Sequence, residues 1–185
     1  MIIDIEITGV TPLLMNRFNE DDLSNKKRDK HLTPREEATK TAYLDQEGKL
    51  YYPPENIYAC IIEAGKFHKD GKNKITTMKS SLIPAGVMII DKVCRFTKPD
   101  LFEVDSRSVV VPSTGGRIMK RRAKLDEWIT NFSIELDIQM FSPRQMREIV
   151  DDAGKKVGLG DYRPSRKGIF GRFVVTKWEE KGKAP

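Results

Sequence analysis

The residues with the clearest chemical meaning stand together in the run Gly158-Leu159-Gly160-Asp161-Tyr162-Arg163-Pro164-Ser165-Arg166-Lys167-Gly168-Ile169-Phe170-Gly171-Arg172-Phe173. Glycine lets a backbone turn tightly and approach another chain, and successive exposed N–H groups can form a nest for an anion. With Gly158, Gly160 and Gly168 supplying that backbone and Arg163, Arg166, Lys167 and Arg172 beside it, a phosphodiester is the expected ligand. The run matches neither GxxxxGK[ST] nor GxGxxG. It also leads from a helical pattern into a strand pattern, whereas both phosphate loops join a strand to a helix N-terminus, so nucleotide binding by a helix dipole is excluded. Tyr162 is placed to stack on an unpaired base, or else to anchor the loop by packing.

A second basic group, Arg117, Lys120, Arg121 and Arg122 after Thr114-Gly115-Gly116, reads as a hairpin long enough to line a groove. Together with Lys66 to Lys79, including Lys74, it would make a cationic track. The 33 Lys and Arg exceed the 27 Asp and Glu for a net charge of +6. Segments 66–79, 114–124 and 155–172 hold 16 of those bases and only 2 of those acids. That separation puts a positive face on an acidic body, the footprint expected for a polyanion.

Enzymatic chemistry has weaker support. Of the two histidines, His31 lies in a charged loop and His68 near a helix end. Neither has a Ser or Cys nucleophile or a metal-ligand partner at recognisable spacing. His31 is the one weak catalytic candidate, as a general acid–base on RNA. Glu20, Asp21 and Asp22 in the same loop could hold a divalent metal or position a ribose, but such runs are usually solvated. No cofactor and no metal are expected. Two cysteines make no disulfide framework; Cys60 and Cys94 are expected as buried thiols.

These residues need elements to position them. Ile3, Ile5 and Ile7 alternate with Asp4, Glu6 and Thr8, the pattern of a half-buried strand. Thr33, Pro34 and Glu36 open a short helix to about Ala42, and a hairpin follows with arms 43–45 and 49–52. Pro53-Pro54 opens a helix with Ile57, Cys60, Ile61, Ala64 and Phe67 on one stripe. Residues 86–93 and 106–111 read as strands, and 128–138 alternate as a long one. Ser142-Pro143 starts a helix ending at Gly158, and a last strand spans 169–178.

Stripped of insertions, the order is strand, helix, strand, strand, helix, strand. The expected class is therefore α+β, a ferredoxin-like or RRM-like four-stranded antiparallel sheet with two helices on one face. One domain over 1–185 is expected, with insertions about 16–52 and 95–126 and a frayed tail, 179–185. The apolar runs are too short to span a bilayer and the N-terminal segment lacks a signal-peptide pattern, so a cytoplasmic location without membrane contact is expected.

Four segments in order resemble the RAMP superfamily of CRISPR-associated proteins. IEITGVTPLLMNR is similar to the family's first strand and turn. LYYPPENIYACIIEAGKF is similar to its proline-containing helix entry, with Pro54-Glu55-Asn56 where the family usually reads G-S-S. RSVVVPSTGGRIMKRRAKLDEWITNFSIELDI resembles its strand, T-G turn and returning strand, and GLGDYRPSRKGIFGRFVV its glycine-rich loop and strand. The resemblance implies a subunit that lines guide RNA in a multisubunit effector, with self-association along the strand or other effector subunits as partners. It carries over no catalytic residue. Three other readings stay open: a phage single-stranded DNA-binding or recombination protein, a metal-independent endoribonuclease using His31, and a protein-interaction module.

Overall fold

The computed structural model describes residues 1–18, 32–110 and 113–182. Strand β1 (Ile2–Gly9) takes the expected pleat, with Ile3, Ile5 and Ile7 buried. It lies between two antiparallel neighbours, β10 (Ile129–Leu136) and β11 (Phe173–Lys181). Strand β6 (Val87–Ile89) pairs with the far edge of β10. The spatial order β11-β1-β10-β6, with one helix after β1 and one after β10, makes this an α+β, ferredoxin-like fold. Helices α2 (Pro54–Ala64) and α4 (Pro143–Asp152) bury Ile57, Cys60, Ile61 and Ala64, and Met146, Ile149 and Val150, in one core with the inward residues of the sheet.

The helix ends follow the local chemistry. Helix α1 (Pro34–Thr41) opens on a complete capping box: Thr33 Oγ1 accepts from the Glu36 amide, and the Glu36 carboxylate accepts from the Thr33 amide. Ser142 caps α4 by accepting from the Gln145 amide, but the Gln145 side chain donates to Lys69 O instead of closing a box. After α4 the chain widens into a π-helical turn, Ala153–Val157, and stops at Gly158 with φ +77°. Gly154 in that turn lies against β11, where a Cβ would stand 2.2 Å from Phe173 O.

The main sheet exceeds the four expected strands. β7 (Cys94–Lys98) pairs with β10 at Ile129 and Thr130, and β3 (Tyr51–Tyr52) pairs with β7. The expected hairpin at 43–52 is present as the Leu44–Leu50 bridge, but its second arm doubles as this edge strand. Burial explains the recruitment: Tyr52 and Cys94 pack in the core, and Tyr52, Phe96, Trp128 and Phe173 form a chain of edge-to-face rings. Trp128 lies over Gly9, where any Cβ would collide with the indole, and its Nε1 donates to Thr11 O at 2.9 Å.

Other boundaries moved for identifiable reasons. The strand expected over 86–93 is only Val87–Ile89, because the Asp91 carboxylate takes the Ser133 amide that would continue the ladder. The last strand begins at Phe173 instead of Ile169, since Gly171 and Arg172 donate to Pro12 O and Thr11 Oγ1. It continues to Lys181, so residues 179–181 are paired with β1 and not frayed, with Lys181 ion-paired to Asp4.

A second, three-stranded sheet carries the basic hairpin. β8 (Glu103–Val110) and β9 (Arg117–Leu125) pair along their whole length, and β2 (Leu13–Leu14) adds to β9. A small separate hairpin joins β4 (Lys69–Asp70) to β5 (Asn73–Lys74), and a helical turn α3 (Ile83–Gly86) precedes β6. No helix among the described residues is long and apolar enough to cross a membrane.

Candidate nucleic-acid interface

The glycine-rich run is the joint between the two sheets. Asp161 N donates to Leu14 O and Gly171 N to Pro12 O, both at 2.8 Å, and Gly160 N donates to the Tyr52 hydroxyl at 2.7 Å. Leu159 N bonds Gly171 O, Gly168 N bonds Arg163 O and Phe170 N bonds Tyr162 O. The expected anion nest is therefore absent, because the amides that would have formed it are already paired inside the protein. The glycines act through close approach instead. A Cβ on Gly160 would sit 2.4 Å from Leu14 O and one on Gly168 1.6 Å from Tyr162 O; on Gly158, at positive φ, it would meet the Pro164 ring at 2.7 Å.

The loop so held presents side chains outward. Tyr162 and Lys167 both take left-handed backbone, with φ of 52° and 60°, a strained state for residues with a Cβ. Tyr162 is 47 % exposed, its ring centroid 6.1 Å from that of Phe170. Arg166 and Lys167 are exposed and make no ion pair among the described residues. Arg172 is exposed too, though one guanidinium N–H donates to Lys155 O. Arg163 is tied down more firmly, donating to Gly160 O and Ser165 Oγ.

The hairpin's bases divide between its two faces. Arg122 and Lys120 fall on the face toward the loop with Asp105 and Arg107, opposite which they pair. Arg122 is buried there, its Nε 2.8 Å from Asp161 Oδ2. Arg107 is held by both oxygens of Asp105 and stacks 4.5 Å from the Phe170 ring centre. Lys120 is half-buried directly across from Arg107. Arg121 turns to the other face and pairs with Glu37 of α1 at 2.8 Å, and Arg117 stands exposed on that same side at the hairpin tip. Arg121 and Arg122 are thus fixed by acids of the protein instead of lying free for phosphate. Lys74 is exposed on β5, on the hairpin whose Lys69 O accepts from the Gln145 side chain of α4. His31, with Glu20, Asp21 and Asp22, lies outside the described residues. His68 faces Asp152 at 3.0 Å.

The sequence reading missed Arg107, although strand alternation from Asp105 would have put it on the loop-facing side. It also missed a half-open cleft of about 240 Å³ between the loop and α2, lined by Asn16, Tyr43, Tyr52, Asn56, Gly160 and Arg163 among others. Tyr52 is buried at its floor, and burial pushes its phenol above the ordinary range. The outward face of the main sheet has a different character. It carries Asp4, Glu6, Asp91, Glu135 and Glu179 against Lys177 and Lys181, with no exposed ring among the described residues. Tyr51, opposite Arg95 at the edge of that face, is half-buried, so among the described residues the face lacks the exposed rings on which an RRM stacks bases.

No protein-family model matches the chain, and no curated protein matches it. Among solved structures it is similar to a chain of a Type III-B Cmr-beta complex bound to cognate target RNA. That chain is 14 % identical, with a TM-score of 0.57 over 96 % of the present chain. The present chain spans 59 % of the other's length. At this identity the likeness is one of fold.

Proposed function

We propose that this protein binds single-stranded nucleic acid, RNA foremost, as a backbone-type subunit of a CRISPR effector that assembles with further copies or other subunits along the strand. The observation that carries the reading is the rigid glycine-rich loop, which holds exposed Tyr162, Arg166 and Lys167 beside Arg107 and Lys120. Arg166 and Lys167, which make no ion pair among the described residues, supply affinity through counterion release, and an exposed ring gives a stacking platform that tolerates any base. Likeness in fold to a chain of an RNA-bound Cmr complex supports the same reading.

The test is binding of fluorescent single-stranded RNA and DNA of equal sequence across a salt series. Tight RNA binding that weakens with salt is expected. An Arg166→Ala, Lys167→Ala variant lowers the salt slope by about 1.4, from about 0.7 per phosphate contact on a single strand. Preference for DNA would favour the phage reading, and binding of neither strand would overturn the proposal.

A further inference from the structure

We infer that the cleft between the glycine-rich loop and α2 is a pocket for one unstacked adenine base of the bound strand. This inference rests on the nucleic-acid reading above and assigns to it a site of base selection. The cleft's volume of about 240 Å³ falls below the roughly 300 Å³ at which drug-sized sites begin, which suits a single planar fragment.

Its chemistry favours a neutral ligand with mixed donors and acceptors. Arg163 projects into the lining, but Asp161 lines the cleft too and the Glu63 carboxylate stands 4.0 Å from the Arg163 guanidinium. Among the described residues Arg163 is the one cation of the lining and it is offset by Glu63, while Asp161 is paired with Arg122, so the cleft has little net charge to offer a phosphate, which leaves phosphates to the outer side of the loop, at Arg166 and Lys167. At the floor, the Tyr52 hydroxyl accepts from Gly160 N, and its own proton has no acceptor among the described residues although the residue is only 3 % exposed. A phenol that already accepts one hydrogen bond still has its proton to give, and at the floor of a cleft that proton can be donated to an acceptor on a ligand.

Asn56 supplies the selectivity. One of its amide protons is directed to the Tyr43 hydroxyl at 3.3 Å, leaving Oδ1 and the second proton without a partner among the described residues. An asparagine amide with both functions available matches the N6 and N7 edge of adenine in two hydrogen bonds. Tyr43 lines the cleft next to it, steadied by edge contacts with Tyr51 and Tyr52.

The test compares strands that differ only at the bases: oligo-A, oligo-U and a strand with abasic sites, each at two salt concentrations. Wild type is expected to bind oligo-A about tenfold tighter than the other two. Asn56→Ala and Asn56→Asp should erase that preference without moving the salt slope, and Tyr52→Phe should reduce it. Arg166→Ala with Lys167→Ala should weaken all three strands alike and keep the ratio. Equal wild-type affinity for the three strands, or a preference that survives at Asn56→Asp in a folded protein, overturns the pocket while leaving strand binding intact. A parallel titration with free adenosine and uridine, followed on the Gly160 and Asn56 amide resonances, separates the two ideas. Shifts with adenosine alone support the pocket even if no strand binds. No shifts together with no base preference remove it.

Discussion

The ion pair between Arg122 and Asp161 makes an asymmetric prediction. The two side chains are 8 % and 30 % exposed, and the guanidinium Nε finds no well-aligned hydrogen-bond acceptor despite the 2.8 Å approach. Removing one partner of a fully buried pair costs about 3–5 kcal/mol, because the other charge is stranded away from water. Here the partner that stays behind decides the cost. Asp161→Ala strands the buried Arg122 and also deletes the bond from Tyr162 N to Asp161 Oδ1. We expect about 2 kcal/mol after allowing for the partial hydration of the site, or a Tm lower by about 4–8 °C in a chain of this size. Arg122→Met leaves a carboxylate that can turn to solvent and a chain of similar length in the packed site, so it should cost less than half as much. The double variant should fall short of the sum by about 1 kcal/mol. Thermal and urea unfolding of the four proteins at one pH measure all three quantities. An Arg122→Met cost equal to that of Asp161→Ala, or strict additivity, would refute the view that the pair locks the loop onto the hairpin through a buried cation.

Gly168→Ala must displace Tyr162 O or move the loop, since the new Cβ would lie 1.6 Å from it; a loss of about 1–3 kcal/mol is expected, against almost none for Gly116→Ala, whose nearest new contact is 3.4 Å. Hydrogen bonding to Lys181 holds the Asp4 carboxyl below its ordinary value, so this contact adds stability above the carboxylate range and loses it as pH falls through the lowered value. Urea midpoints followed from about pH 5 to pH 2 should therefore fall less steeply in Lys181→Ala than in wild type. Burial pushes the Cys60 thiol up and that of Cys94 up to about 12, so a thiol reagent at pH 8 should modify neither in the folded protein and both after denaturation.

Much of the fold was legible because its signals were local and periodic. Alternation in residues 2–8 and 128–138, the Thr33 and Ser142 caps and the stripe from Ile57 to Phe67 each described one element, although the strand stops at Leu136 and the helix at Ala64, leaving Ile138 and Phe67 exposed; chain order then gave the ferredoxin-like arrangement. What was not legible depended on partners distant in sequence. Nothing near Tyr51 and Tyr52 announces that they pair with Cys94 and Arg95 at a sheet edge. The candidate site shows the same division. The glycine-rich loop was visible as composition, but the expected nest required its amides to be free; some are taken by carbonyls of the loop itself, and three others by Pro12, Leu14 and Tyr52, more than a hundred residues away. Counting bases along 114–124 could not show that pleating sends Arg121 to Glu37 and Arg122 to Asp161.

The central position of β1 has a consequence during synthesis. Both of its neighbours in the sheet, β10 and β11, come from the far part of the chain, so at ribosomal speeds of about 5–20 residues per second β1 waits roughly 6–24 s before even β10 begins to emerge. Through that interval an apolar strand is available on both edges to any other nascent chain. Asp4 and Glu6, interleaved with Ile3, Ile5 and Ile7, put charge into the segment for its whole time unpaired and serve as gatekeepers against aggregation. Replacing both acids with threonine would keep the strand pattern. The penalty should appear in the yield of folded protein per chain synthesised more than in the stability of what does fold.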